Sequence, residues 1–353
     1  MKISVVVPNY NHSASISQTI DGILSQSYRN VELIIVDDGS TDESVEILKR
    51  YQQQDPRIHL LLFSENRGAH AAATEGVRAA SGDLFFGEAA DDYLVDPMFF
   101  ATAVDSMRRR PKAAGVFGRS RVIDAADDRF LWSMGAGPKE GYCDGQTFLD
   151  AFLSHRTFVP GSSAIFRLEL IREAGGHQED LGPQADYFIN HALPAAHGVF
   201  FIDRDVAAFR VSPTTYSAKA TDDDFFRHHA LTEKRLRAYA SDRHYDPALL
   251  RIWRDGIVNM RFNLRRQETL FDAVKAVARE LPPWEKWHMP QDFMRLAEHY
   301  FDELTPMKAE LDRRAAAAWA IFSEVAGPLD EQATPFARRA GRIQHFISKM
   351  IFR

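Results

Sequence analysis

Apolar and polar positions alternate along the first part of the chain in two rhythms. Short runs rich in β-branched and aromatic residues, KISVVV (2–7), VELIIVDD (31–38), IHLLLF (58–63) and DLFFG (83–87), have the length and composition of buried strands. Between them the apolar spacing lengthens to that of a helix. ASISQTIDGILSQ (14–26) puts Ile16, Ile20, Ile23 and Leu24 on one helical face, and GSTDESVEILKRY (39–51) and AHAAATEGVRAAS (69–81) predict two more helices. Thr41 or Asp42 is placed to cap the second, with acids in its first turn where the helix dipole favours them. Strands alternating with helices of this size predict right-handed βαβ units and a parallel sheet.

The rhythm then changes. AAGVFG (113–118), SSAIFR (162–167) and GVFFIDRDVAAFRV (198–211) predict strands separated by glycine-rich turns and short helices. From Asp222 onward the pattern is helical, broken at LPPW (281–284) and at TP (305–306 and 334–335). The expected division is residues 1–221 as one α/β domain, with halves at 1–95 and 96–221, and residues 222–353 as a helical C-terminal region. Its last segment, PFARRAGRIQHFISKMIFR (335–353), is basic and amphipathic. Such a helix docks on its own protein, on a second subunit, or on an anionic membrane face.

Composition narrows the function classes. With 353 residues, 45% apolar and 26% charged, the chain is that of a globular protein of about two domains. A net charge of −6 gives no support to a general nucleic-acid binder. Cys143 is the only cysteine, which excludes an internal disulfide and a thiolate zinc cluster and fits a reducing compartment. The apolar run from Val5 to Val7 stops at Pro8, unlike a secretory leader, and no run approaches the ~18 apolar residues of a membrane span. A cytoplasmic protein, soluble or peripheral on the inner membrane face, is expected.

In an open parallel sheet, ligands bind beyond the carboxyl ends of the strands. The loops there read PNYN, DDGSTD, ENRG and EAADD, so acids and asparagines recur at one edge. No GxxxxGK[ST] loop is present to cradle phosphates, and no GxGxxG follows the first strand. A nucleotidyltransferase would need a glycine-rich basic loop after that strand, and PNYNHSAS is neither. Carboxylates repel phosphates unless a divalent cation stands between them. Asp91 and Asp92 therefore suggest an oxygen-liganded Mg²⁺ or Mn²⁺ bridging to phosphate. An isolated aspartate pair serves equally as a solvated turn.

The order VVVPNYN, VDDGSTD, ENRG and EAADDYL resembles the inverting glycosyltransferases of family 2 over roughly residues 1–215. That resemblance implies the GT-A nucleotide-diphospho-sugar transferase fold, a Rossmann-like mixed, mainly parallel sheet flanked by helices, here with a helical extension. It implies that Pro8, Tyr10 and Asn11 shape a base pocket, and that Asp37 or Asp38 accepts a hydrogen bond from the base. Asn66 would line the nucleotide site, with Gly68 permitting close backbone approach. Asp91 matches the metal-binding aspartate, with Asp92 its supporting neighbour. The base for the acceptor hydroxyl is expected at Asp186, with Glu179 and Asp180 as alternatives; the same position would also cap a helix.

Several positions depart from the family pattern. Ala89 stands where its first aspartate is usual, Glu88 is displaced by one residue, Ala73-Thr74 replace Arg-Asn, and Ser212 takes the place of a histidine after Arg210. Arg210 either faces a phosphate or is structural. The expected function is transfer of a sugar, most simply from a UDP-sugar, to a saccharide, lipid-linked or protein hydroxyl in polysaccharide or glycoconjugate synthesis. The alternative is a weakened relative acting as a nucleotide-sugar binding module.

Overall fold

The computed structural model describes residues 1–211, 221–240, 245–258, 261 and 313–327. The chain divides into two compact units, Met1–Ala220 with Leu231–Tyr245, and Thr221–Ala230 with Asp246–Arg353. Ser212 and residues 335–353 lie outside the described residues.

The first unit begins as its apolar rhythm predicts: β1 (Ile3–Asn9), α1 (Ile16–Leu24), β2 (Val31–Asp37), α2 (Ser44–Gln54), β3 (Ile58–Leu62), α3 (Ala69–Ala79) and β4 (Leu84–Gly87). β2 is buried along its whole length because both faces of a parallel sheet are covered by helices. Helix α1 buries Ile16, Thr19, Ile20 and Ile23; Thr19 takes the core position expected for Leu24, and its hydroxyl has a use described below. The cap of α2 is Glu43, without a side-chain bond, while Asp42 accepts from the Ser44 N–H at 2.9 Å.

After β4 come β5 (Tyr93–Leu94), α4 (Phe99–Arg109), β6 (Gly115–Asp124), β7 (Phe130–Met134), β8 (Gly141–Cys143), α5 (Gly145–Leu153), β9 (Ala164–Arg167), α6 (Leu168–Glu173), α7 (Ala185–His197), β10 (Val199–Val211) and α8 (Asp222–Tyr239). The sheet order is β3-β2-β1-β4-β9-β6-β10-β5, with β7 on β6 and β8 on β10. β3, β2, β1 and β4 are parallel. Parallelism stops at β4, since β9 runs antiparallel to both β4 and β6, although β6 and β10 pair in parallel. The sheet is thus mixed, with its parallel part concentrated in the first half.

β1 continues past the end of β4: Val6 pairs with Gly87, whereas Asn9 at the strand's end pairs with Asp37. Beyond Gly87 the end of β1 is therefore paired with β2 and not with β4. Phe86 at the end of β4 meets Phe99 and Phe100 of α4 edge-on, with ring centroids 6.0 and 5.5 Å apart. Such aromatic pairs contribute about 0.5–1.5 kcal/mol each beyond the area they bury, and here they anchor the turn that follows β4. In the second unit, Trp253 and Phe322 are buried and meet edge-on at 6.2 Å. No helix among the described residues is long and apolar enough to cross a membrane.

Candidate active site

At the end of β1, Asn9 donates through Nδ2 to Asp37 Oδ2 at 2.7 Å. Ser40 adds its backbone N–H to Asp37 Oδ1 at 2.9 Å and its hydroxyl to Oδ2 at 2.7 Å. Asp38 accepts from the backbone N–H groups of Arg67 (2.7 Å) and Gly68 (2.8 Å). The two aspartates therefore fasten the first three loops to one another, and both are buried. Asn11 has φ 57, a conformation asparagine tolerates, and its Oδ1 accepts from the Thr41 N–H at 2.8 Å. Pro8 is half-buried, and Tyr10 is 42% exposed beside this assembly, with its ring open to a stacking partner. Asn66 is exposed, and its Oδ1 lies 3.2 Å from the Gly68 N–H.

Gly68 caps α3 with φ 91 and ψ 150, a backbone region that only glycine enters readily. Nothing lies within 4 Å of where a Cβ would project, so its open face admits a ligand against the backbone.

The turn after β4 is fixed from three sides. Ala90 and Leu94 are buried in the apolar core. The Thr19 hydroxyl reaches the carbonyls of Ala90 (3.0 Å) and Asp92 (2.7 Å), and the Ser15 hydroxyl reaches that of Ala90 at 3.0 Å. Arg210 supplies the third hold. Its backbone N–H donates to Asp92 Oδ1 at 2.8 Å, and its guanidinium to the Asp91 carbonyl, to Asp128 (2.9 and 3.1 Å) and to Gln18 Oε1 (2.6 Å). With its Cζ also 4.9 Å from the Tyr93 ring centroid, Arg210 is committed to the protein rather than to a phosphate.

The three acids of this turn differ sharply. Asp91 is half-buried, and no described residue donates to its carboxylate. Asp92 is buried; loss of hydration and the neighbouring charge of Asp91 push its carboxyl well above the usual range, opposed by Arg210. Glu88 is 3% exposed, and among the described residues neither carboxylate oxygen has a well-formed hydrogen bond, the Ala89 N–H nearby being poorly aligned. Its carboxyl is also pushed well up, first by burial and then by Asp92 and Asp91. Turned inward, Glu88 does not replace the acid missing at the exposed Ala89.

Among the described residues, no group of three His, Cys, Asp or Glu side chains is arranged to hold a metal ion. The free carboxylate of Asp91 nevertheless fits a hard cation that arrives with its phosphates, since Mg²⁺ commonly takes only one or two protein carboxylates.

In the second half of this unit, a bridge between Ala136 and Phe158 leads into the turn Gly161–Ser163. Asp186 lies in the first turn of α7, directly over Gly161, where a Cβ would meet Asp186 Oδ2 at 2.7 Å. Solvent reaches Asp186, yet the surrounding protein strips enough hydration to raise its carboxyl above the ordinary 3.8. The N–H of Tyr187, 2.8 Å from Oδ1, and the charge of His70 oppose that rise. Glu179 and Asp180 are exposed, and Asp180 pairs with Arg235. Buried His191 holds α7 to the preceding segment, with Nδ1 2.7 Å from the Tyr187 carbonyl and Nε2 3.4 Å from the Val159 nitrogen.

Two residues here carried no signal in the sequence. His70, in the first turn of α3, and His177, before α7, lie with ring centroids 5.1 Å apart. Isolated histidines without motif or spacing become neighbours only through the fold. A groove of about 490 Å³ bounded by Met1, Asp83, Arg167 and Arg172 opens at the other sheet edge and contains none of the predicted residues.

Residues 4–175, just under half of the chain, match the family model described as glycosyl transferase family 2. A glucosyl-dolichyl phosphate glucuronosyltransferase of Haloferax volcanii is 28% identical over 209 residues, covering 57% of this chain and 64% of that protein. The crystal structure of S. aureus TarS 1–349 in complex with UDP-GlcNAc aligns with a TM-score of 0.57 at 16% identity, over 72% of this chain and 71% of that one. The mannosyltransferase PcManGT from Pyrobaculum calidifontis, in complex with GDP-Man and Mn²⁺, aligns with a TM-score of 0.51 at 18% identity, over 92% and 86%. At those identities the likeness is one of fold. The chain spans 42%, 38% and 64% of the length of three curated relatives it matches.

Proposed function

We propose that the chain, whose residues 4–175 match the glycosyl transferase family 2 model, is a member of that family and transfers a sugar, with inversion, from a nucleotide diphosphate donor to an acceptor hydroxyl. The fold proposed is GT-A, supported by the parallel β3-β2-β1-β4 run meeting an antiparallel β9 beside the acidic turn. The observation that carries the reading is Asp186: an exposed carboxylate in the first turn of α7, set directly over the Gly161 turn, where a general base could meet an acceptor hydroxyl.

In this reading the nucleotide lies along the carboxyl edge, with its base near Pro8, Tyr10 and Asn11 and its backbone close to Asn66 and Gly68. Asp37 and Asp38 act mainly by holding those loops. Asp91 would hold Mg²⁺ or Mn²⁺ on the diphosphate, with Asp92 bracing the turn; the cation supplies Lewis-acid stabilisation of the departing diphosphate. Asp186 takes the acceptor proton as that oxygen bonds to the anomeric carbon. The bond from that carbon to the diphosphate breaks, and its electron pair leaves with the nucleotide. A UDP-sugar is the proposed donor and a saccharide, lipid-linked or protein hydroxyl the acceptor, in polysaccharide or glycoconjugate synthesis.

The reading is tested by titration calorimetry with UDP, GDP and dTDP, with and without Mn²⁺, alongside a transfer assay. Asp186→Asn should bind nucleotide like the parent and lose transfer by about 10²–10⁴-fold. Near-parental turnover overturns the base assignment. Metal-dependent binding with no transfer by the parent would favour a nucleotide-sugar binding module, the reading to which the empty position at Ala89 and the inward Glu88 lend weight.

A further inference from the structure

We propose that the indole of Trp132 is a stacking platform for a saccharide acceptor, carried on the β6–β7 hairpin between the Asp91 turn and the Asp186 turn. The inference rests on the reading of Asp186 as base, and it selects a saccharide among the possible acceptors. Trp132 is 53% exposed, although tryptophan is mostly buried on average. Among the described residues no aromatic ring or cation packs on it, whereas Phe130 has the Arg121 guanidinium 5.9 Å from its ring centroid. Both ends of the hairpin are tied to the candidate site. At its tip Asp128 accepts from the Arg210 guanidinium at 2.9 and 3.1 Å, and that guanidinium also donates to the Asp91 carbonyl. Just past β7, a Cβ at Gly135 would lie 2.8 Å from Pro160 Cγ, and Ala136 bridges to Phe158. Pro160 leads directly into Gly161, over which Asp186 lies.

Strand register sets which way the ring faces. Trp132 pairs with Val122 and Met134 with Ser120, so these four share one face, while the shift between Val122 and Ile123 turns Phe130 to the other. The Ser120 hydroxyl lies 3.0 Å from that of Ser162, in the Gly161–Ser163 turn. The face that bears Trp132 therefore leads toward the turn under Asp186. Three residues of extended chain separate Trp132 from Gly135, about 10 Å, so an oligosaccharide stacked on the indole can extend its terminal hydroxyl toward Asp186. The chemistry around the ring selects the occupant. A protein partner or a second copy needs a contiguous apolar patch, which the register shift denies by splitting Phe130 from Trp132. An anionic membrane favours basic loops, and the tip from Asp124 to Arg129 holds three aspartates and one arginine. A sugar ring needs only one apolar C–H face against a single indole, with its hydroxyls left in water.

Two measurements on the full chain test this. The first needs no turnover: with tryptophan indoles isotopically labelled, the Trp132 signal is assigned by its loss in Trp132→Tyr and followed by NMR. Tetrasaccharides of glucose, galactose, mannose and N-acetylglucosamine are added in turn, with UDP and Mn²⁺ present. At least one should shift the Trp132 signal saturably while that of buried Trp253 stays in place. No shift with any of them overturns the proposal. So does a shift brought about by phosphatidylglycerol vesicles or by protein concentration alone, which would assign the ring to a membrane or to a second copy. The second is a transfer assay with the saccharide that shifts the signal most. Trp132→Ala should raise the KM for that saccharide about tenfold, with kcat and UDP affinity within about twofold of the parent, and Trp132→Tyr should recover most of the loss. An unchanged saccharide KM in Trp132→Ala also overturns it. If the parent transfers no sugar, the titration decides. The reading of Asp186 as base fails separately, when Asp186→Asn transfers sugar at the parental rate while Trp132 still responds to the saccharide.

Discussion

After β2, the carboxylates of Asp37 and Asp38 are met by Asn9, Ser40, Arg67 and Gly68. After β4, at the same edge of the same sheet, no described residue makes a well-formed hydrogen bond to the carboxylates of Glu88 or Asp91, with only the Ala89 N–H near Glu88, and Asp92 is met by one backbone N–H. Both turns read as paired acids following an apolar strand. Physically they are opposites. The first turns its charge inward on protein donors and so builds the edge. The second leaves charge unsatisfied, and a buried or half-buried carboxylate without donors is a cost to folding that a bound cation or a retained proton removes.

The largest expected effect separates the two directly. Asp37→Ala should lower unfolding free energy by about 3 kcal/mol, because the Asn9 amide and the Ser40 donors lose a buried partner. Asp91→Ala should stay within about 0.5 kcal/mol of the parent, since its carboxylate accepts nothing from the described protein. In metal-dependent nucleotide binding the order reverses, with Asp91→Ala the deficient variant. Urea melts and calorimetry with UDP and Mn²⁺ check both; equal loss of stability in the two variants would remove the contrast.

Gly68 sharpens it at a smaller scale. Its N–H belongs to the satisfied turn, through Asp38, while its Cα faces open space. Gly68→Ala should cost about 2 kcal/mol from backbone strain alone, because no atom stands in the way of the new methyl group. A loss below about 0.5 kcal/mol in a urea melt would mean the loop relaxes out of this conformation. The anchoring role of Asp38 would then have been overstated.

How much of this was legible in the sequence depends on the kind of contact. The alternation from β1 to β4 is written in local apolar period, so those elements fall within a few residues of expectation. β5, β7 and β8 escaped notice because they are short pairings on the flanks of the sheet; β7 even exposes Phe130 and Trp132. At the site, Asp91 and Asp186 stood out by motif. Their states did not, since these depend on burial and on which donors the fold delivers: Arg210 to Asp92, and little to Glu88. The commitment of Arg210 to Asp128 and Gln18 is likewise invisible until distant loops are brought together.

The smallest effect is the one the unsatisfied turn should show by itself. Burial raises the carboxyls of both Glu88 and Asp92, but Asp92 has the backbone N–H and the charge of Arg210, while Glu88 has only the weakly placed Ala89 N–H, so the proton favours Glu88. In the unfolded chain Glu88 ionises near its ordinary 4.5. The folded state therefore binds more protons than the unfolded state above that pH, and stability must fall as pH rises. The stabilising share is complete below about pH 4.5 and is lost toward the raised folded value, at no more than about 1.4 kcal/mol per pH unit. Glu88→Gln removes the titration while keeping the shape, so its stability should be flatter with pH and should overtake the parent toward neutrality. Urea melts between pH 5 and 7 on parent and variant measure the difference. Parallel curves would show that Glu88 is ionised in the fold and would remove the contrast between the two turns.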